Sequence, residues 1–317
     1  MSAAFHGVVT SLITPFLSSS DDEPDQPSEE PCEVDTFRVA SLTRWQARAG
    51  VRAVAVAGWA GEGPTLRRCE RVALIRAAGS AKGPMAILAH IGSPSTARSI
   101  EFALDAKAAG ADGLVLVMPY YNKPSFAGIC RHVEAVAEAT PLPLLLEFDE
   151  AATRLALTPC QMAELTRVPN VVSLIDHSDN PLHVECMSRA RRGVSFLTAH
   201  EPSAGAAGLL GADGLFSAVA NVQPALVVAL AEAIRARDVD GVREIGAQLS
   251  PLVALVEAEG VAALKACLHT IVGCETLVRA PLQPLGHAAR QRVASIRVLI
   301  ETMTPPAAGR LPMVAAR

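Results

Sequence analysis

Seven side chains carry the chemistry this sequence offers: His90, His177 and His200, with the carboxylates Glu147, Asp149, Asp176 and Glu201. Each follows an apolar run that reads as a strand, so each falls near a strand end. Imidazoles beside carboxylates trade protons as acid and base, or they hold a divalent metal. No H-x-H or H-x-x-E-H spacing links the seven, and no metal site is assigned. Alternation sets a further limit. Val171 to Ile175 is an apolar strand running out into Asp176-His177, and if Ile175 points one way then Asp176 points the other. The seven therefore do not all converge.

The elements that must position them alternate regularly. Gly7 to Phe16 reads as a strand, and a helical pattern runs from the N-cap Asp35 to Ala49. Strands then follow at Val51 to Ala57, Met85 to Ile91, Gly113 to Met118, Leu142 to Phe148, from Val171, at Val194 to Thr198 and at Gly214 to Ala218. Between them the spacing predicts helices at about 65–78, 95–109, 126–139, 158–167, 181–191 and 201–210, with another from Gln223. Eight strand-then-helix units predict a parallel sheet closed on itself, an α/β fold of the (β/α)8 TIM-barrel class. An open doubly wound sheet is the alternative. The count of eight and the lack of a G-x-G-x-x-G turn after the first strand favour the barrel.

Further helices at 239–259, 261–272 and 288–302 extend the same domain. The expected organisation is a barrel over 1–236, a helical extension over 237–303 and a loose tail over 304–317. An insertion at about 18–31 is acidic, rich in proline and without periodicity, and reads as a loop.

Composition narrows the function. Of 317 residues half are hydrophobic and 4% aromatic, with net charge −4. Six acids sit in the insertion, and without them the rest of the chain carries a small positive balance. Neither value supplies the clustered basic face that a nucleic acid needs. Seven scattered cysteines without C-x-x-C spacing argue for a reducing compartment. With no signal-peptide pattern and no apolar run fit for lipid, a cytoplasmic protein with no membrane partner is expected.

The residues after the strands resemble a known family. Gly58-Trp59-Ala60-Gly61-Glu62 is similar to the Gly-Thr-Thr-Gly-Glu loop of the dihydrodipicolinate synthase and N-acetylneuraminate lyase family. Pro119-Tyr120-Tyr121-Asn122-Lys123-Pro124, then Gly211-Ala212-Asp213-Gly214 leading through Ser217 to Ala220-Asn221-Val222, occur in the same order and spacing. The resemblance implies a class I aldolase-like site, in which a strand-six lysine forms an imine with pyruvate or another 2-oxo acid. A strand-five tyrosine relays protons there, and the strand-two loop holds the carboxylate. It also implies a homodimer or homotetramer, a small-carboxylate ligand and no separate cofactor.

Aligned on Pro159 and Asn170, the lysine position is Ile175 and the tyrosine position is Glu147. The two loop threonines are Trp59 and Ala60, and Ala151 and Ala152 stand where an arginine is expected. Only four lysines exist, Lys82, Lys107, Lys123 and Lys265, and Lys123 alone belongs to the catalytic face. Imine chemistry is therefore expected to be lost. Glu147 and Tyr121, the latter matching a tyrosine that enters from a neighbouring subunit, are the candidate catalytic residues. Gly58, Trp59, Ala60, Gly61 and Ser217 are the candidate ligand-binding residues. Two other readings stay open: a lyase or hydratase using acid/base or metal-assisted chemistry from the His and carboxylate rim, and a non-catalytic partner subunit.

Overall fold

The computed structural model describes residues 5–17, 33–191 and 193–302. The acidic insertion and the C-terminal tail anticipated from sequence lie outside them. Eight parallel strands close into a barrel in chain order, with the last pairing to the first. They are β1 (Gly7–Ser11), β2 (Ala53–Val56), β3 (Ala86–His90), β4 (Gly113–Val117), β5 (Leu144–Phe148), β6 (Val171–Asp176), β7 (Ser195–Thr198) and β8 (Gly214–Ser217). The helices α1 (Thr36–Arg48), α2 (Arg68–Gly79), α3 (Thr96–Ala109) and α4 (Phe126–Ala139) cover the first strands. A short α5 (Glu150–Thr153) precedes α6 (Pro159–Leu165), α7 (Pro181–Ala190), α8 (Ala204–Leu209) and α9 (Pro224–Ala236).

Alternation along the strands divides the apolar residues between two cores. Val9, Ala53, Ala55, Leu88, Val115, Leu145, Ile175, Leu197 and Phe216 fill the barrel, every strand contributing. Their neighbours, among them Val54, Ile87, Leu114, Leu146, Leu174 and Phe196, face outward under the helices. The interior is thus a packed apolar plug, and the inward polar side chains His90 and Glu147 lie towards the strands' C-terminal ends.

The extension comprises α10 (Val239–Val272), broken at Gly260 (φ 62°, ψ −143°), and α11 (His287–Thr302). The break falls where the sequence separates two helical patterns. β1 is shorter than its apolar run: it ends at Ser11, and Phe16 turns back to bridge Val34. Among the described residues no helix is long and apolar enough to cross a membrane.

Candidate functional site

Register brings the two decisive positions side by side. β5 and β6 pair so that Glu147 lies opposite Ile175, and both point into the barrel, each fully buried. Ile175 belongs to the apolar plug. One layer further towards the mouth, β6 presents His177, whose amide prolongs the ladder by donating to the Phe148 carbonyl at 3.0 Å. β3 ends on His90, two residues beyond the inward Leu88. Three strands therefore aim a carboxylate and two imidazoles at one spot.

The Glu147 carboxylate is flanked on both sides. Its Oε1 is 3.0 Å from His177 Nε2, and its Oε2 is 3.4 Å from His90 Nδ1. Asp149 Oδ2 stands 3.8 Å from His177 Nδ1. Burial alone would push the Glu147 carboxyl up, but the two imidazoles outweigh it and hold the group below its ordinary value. Burial also opposes a charged His177, yet the Glu147 hydrogen bond and the neighbouring carboxylates keep its pKa raised. His90 is lowered by burial, which the attraction of Glu147 only partly offsets. These contacts shift Glu147 and His177 towards their charged forms, while burial shifts His90 towards the neutral one. Of His90, Glu147 and His177 only the His177 side chain is partly exposed, at 27%, and so is the one that faces the mouth.

His90 is locked from two other sides. The Phe216 ring meets it edge-on at 5.9 Å, and the backbone of Gly58 lies against its far edge. A Cβ on Gly58 would stand 2.4 Å from His90 Nε2. Gly58→Ala is therefore expected to cost about 1–3 kcal/mol, as overpacking does, and to swing His90 away from Glu147. Thermal denaturation reads the first effect, and histidine side-chain NMR the second.

The loop after β2 is bracketed by two non-glycine residues in the left-handed region, Ala57 (φ 62°) and Glu62 (φ 52°). Within it Trp59 packs edge-on against Tyr120 at 5.5 Å. Among the described residues the amides of Trp59, Ala60 and Gly61 donate to no acceptor. Consecutive unengaged amides in such a turn form an anion-binding concavity.

The remaining sequence candidates are distributed differently. Asp176 points outward, as alternation requires, and lies 3.5 Å from His183 of α7. His200 turns aside to Ser203, 2.7 Å away. Ser217 is buried and its hydroxyl is engaged on both sides: it donates to Glu201 Oε1 at 2.8 Å and accepts from the Ala220 amide. Its role in this geometry is to hold Glu201, whose pKa burial raises. Tyr121 is 90% exposed and stands away from its own barrel. Among the described residues no three His, Cys, Asp or Glu side chains are grouped to hold a metal.

The lysines are accounted for. Lys82 binds Asp112, while Lys107 and Lys123 are exposed on α3 and in the loop after β4. Lys265 is fully buried, with Nζ 2.5 Å from Glu62 Oε1 and 2.6 Å from the Leu277 carbonyl. Sequence reasoning missed His90's pairing with Glu147, the Phe216 wall and the approach of Arg71 from α2, whose guanidinium donates to the His90 carbonyl at 3.0 Å. Phe216 was recoverable from the period-two pattern of β8. Arg71 left no signal, because a helix arginine reads as surface.

Comparison with known proteins agrees with this architecture. The model of the dihydrodipicolinate synthetase family matches residues 4–298. The 4-hydroxy-tetrahydrodipicolinate synthase of Sorangium cellulosum (strain So ce56) is 34% identical, over 91% of this chain and 93% of the relative. That of Alcanivorax borkumensis is 31% identical, over 90% and 95%. Among solved structures, dihydrodipicolinate synthase from Aquifex aeolicus superposes with a TM-score of 0.85 at 26% identity, covering 92% of this chain and 97% of that one. The chloride-inhibited enzyme from Acinetobacter baumannii, complexed with pyruvate, does so at 0.86 and 27%, covering 93% and 99%.

Proposed function

The chain belongs to the dihydrodipicolinate synthetase family, and from that premise we propose that it has exchanged imine chemistry for non-covalent acid–base chemistry on a small 2-oxo acid. The observation that carries this reading is the Glu147–Ile175 pair. Where the family resemblance implies a lysine the chain has hydrocarbon, and where it implies a tyrosine it has a carboxylate, the two in register on adjacent strands. Only an amine becomes an imine, and the other lysines are exposed or ion-paired.

What remains supports binding and proton transfer. The ligand carboxylate sits on the amides of Trp59 to Gly61, on the side of the mouth away from Asp149 and Glu201. His177, whose pKa Glu147 raises, then donates to the oxygen on which negative charge develops, and Glu147 holds the imidazole in place while it does so. Pyruvate, bound by the Acinetobacter relative, is the first ligand to try. Tyr121, 90% exposed in the single chain, is the residue that would meet a second copy in a homodimer or homotetramer.

Borohydride reduction in the presence of pyruvate tests the reading directly. The intact mass is expected to stay unchanged, and calorimetry is expected to show pyruvate binding that His177→Ala weakens. A reduced adduct on any lysine, or turnover in a coupled lysine-pathway assay, sinks it.

A further inference from the structure

A small cavity beside the Glu147 cluster lies between Gly58, Trp59, Arg71, His90 and Tyr120, with a volume of about 20 Å³. A cavity of roughly 10–15 Å³ or more accommodates one water if polar partners surround it. Three of these residues carry buried nitrogens with no hydrogen-bond partner in the protein: Trp59 Nε1, Arg71 Nε and His90 Nε2. Glu147 Oε2, beyond the His90 ring, is a fourth such atom. Buried polar groups are rarely left in that state, and three nitrogens around one cavity call for a common partner.

We infer that the cavity binds one water molecule and that His90, oriented by Glu147, is the base that activates it. The hydrogen-bond inventory closes on this arrangement. Indole and guanidinium Nε–H only donate, so Trp59 and Arg71 take up the two lone pairs of the water oxygen. The water in turn donates to His90 Nε2, which fixes the ring proton on Nδ1, facing Glu147 Oε2 across 3.4 Å. One molecule thus gives all three nitrogens a partner, and one tautomer turns the His90 proton towards the Glu147 carboxylate. Arg71 is held for the task by its other nitrogens, which donate to the carbonyls of His90 at 3.0 Å and Gly63 at 2.6 Å. The sequence water, His90, Glu147 has the proton-accepting order of a hydroxyl–imidazole–carboxylate triad. Burial keeps His90 neutral and so able to accept.

The catalytic half of this inference rests on the proposed 2-oxo acid ligand, whereas the water site does not. With pyruvate as the probe, the water gives up the hydrogen bond from Trp59 Nε1 and turns that lone pair to the keto carbon, while its O–H bond breaks and the proton passes to His90 Nε2. A C–O bond forms to the keto carbon, the carbonyl π pair moves to the keto oxygen, and that oxygen takes a proton from His177. The product is the hydrate, and its collapse by either hydroxyl exchanges the keto oxygen with solvent.

Pyruvate in ¹⁸O-labelled water is therefore expected to gain label faster with the protein than in buffer. His90→Gln is expected to lower that protein-dependent rate by about 100-fold, the scale of a lost general base, while calorimetry shows pyruvate still bound. In the ligand-free protein, ¹⁵N NMR is expected to find the His90 proton on Nδ1 and to see that signal move in Trp59→Phe. A protein that binds pyruvate but exchanges no faster than buffer overturns the base. A His90 proton on Nε2, or a signal indifferent to Trp59→Phe, overturns the water site. Failure to bind pyruvate counts against the proposed function instead, and the NMR result then decides the water site alone.

Discussion

A Glu147→Ala protein is expected to lose about 3–5 kcal/mol of folding stability, the range for breaking a buried ion pair from one side. The substitution leaves His177 with its Nε2 partner gone and His90 facing a void in the barrel. A second effect separates this from simple loss of packing: the pH dependence of stability should flatten. His177, with its pKa raised, contributes stability that is complete below its ordinary value of 6.5 and lost as pH rises through the folded value. Glu147, lowered, contributes stability present above its ordinary value of 4.5 and lost as pH falls through the folded one. His90, also lowered, costs stability as pH falls below 6.5, because the unfolded chain takes up a proton that the folded chain refuses. The wild-type melting temperature should thus sag on both the acid and the alkaline side of neutrality. Removing Glu147 should erase the alkaline sag, since His177 then has less reason to be charged. Melting curves from about pH 5 to about pH 9 check this, and an unchanged alkaline limb would contradict the raised pKa of His177.

Lys265→Ala is expected to be as damaging, again by about 3–5 kcal/mol, because it strands Glu62 in the interior. Lys265 and Glu62 are both buried, and the Glu62 Oε2 atom accepts the Arg279 amide at 2.7 Å. Lys265 Nζ and the Arg279 guanidinium also lie over the Phe16 ring, at 4.1 and 4.5 Å from its centroid. The double change Glu62→Gln with Lys265→Met removes both charges at nearly constant volume, and it is expected to recover most of the loss. If the double variant is no better than Lys265→Ala in denaturant titrations, the pair is not what holds this region together.

Sequence alone carried the fold a long way, for identifiable reasons. The eight apolar runs were separated by helix-length patterns with recognisable caps, such as Asp35 before α1 and Thr158 before α6, whose side chains accept from Arg38 and Gln161. That Ile175 lies on β6 was legible because the apolar run from Val171 reads as a strand. The outward turn of Asp176 followed from alternation alone. The cluster was not legible as a cluster. His90, Glu147 and His177 come from strands that are not all neighbours, and their convergence depends on barrel stagger, which no local pattern encodes. Ser217 follows a strand end and so reads as a ligand residue, yet the close turn into Val219 and Ala220 spends its hydroxyl on Glu201 and a backbone amide.

The brace between Glu62 and Lys265 also orders events during synthesis. All eight strands have left the ribosome once Ser217 has emerged, but Lys265 and the Arg279 amide come later in the chain. Until then Glu62 has neither of these partners, and the left-handed turn carrying Trp59 is held only by contacts from earlier in the chain, such as Thr14 Oγ1 donating to the Gly61 carbonyl. A nascent barrel can therefore close before its mouth is shaped, and the last helices act as the check that a finished polypeptide, rather than a truncated one, acquires a working rim.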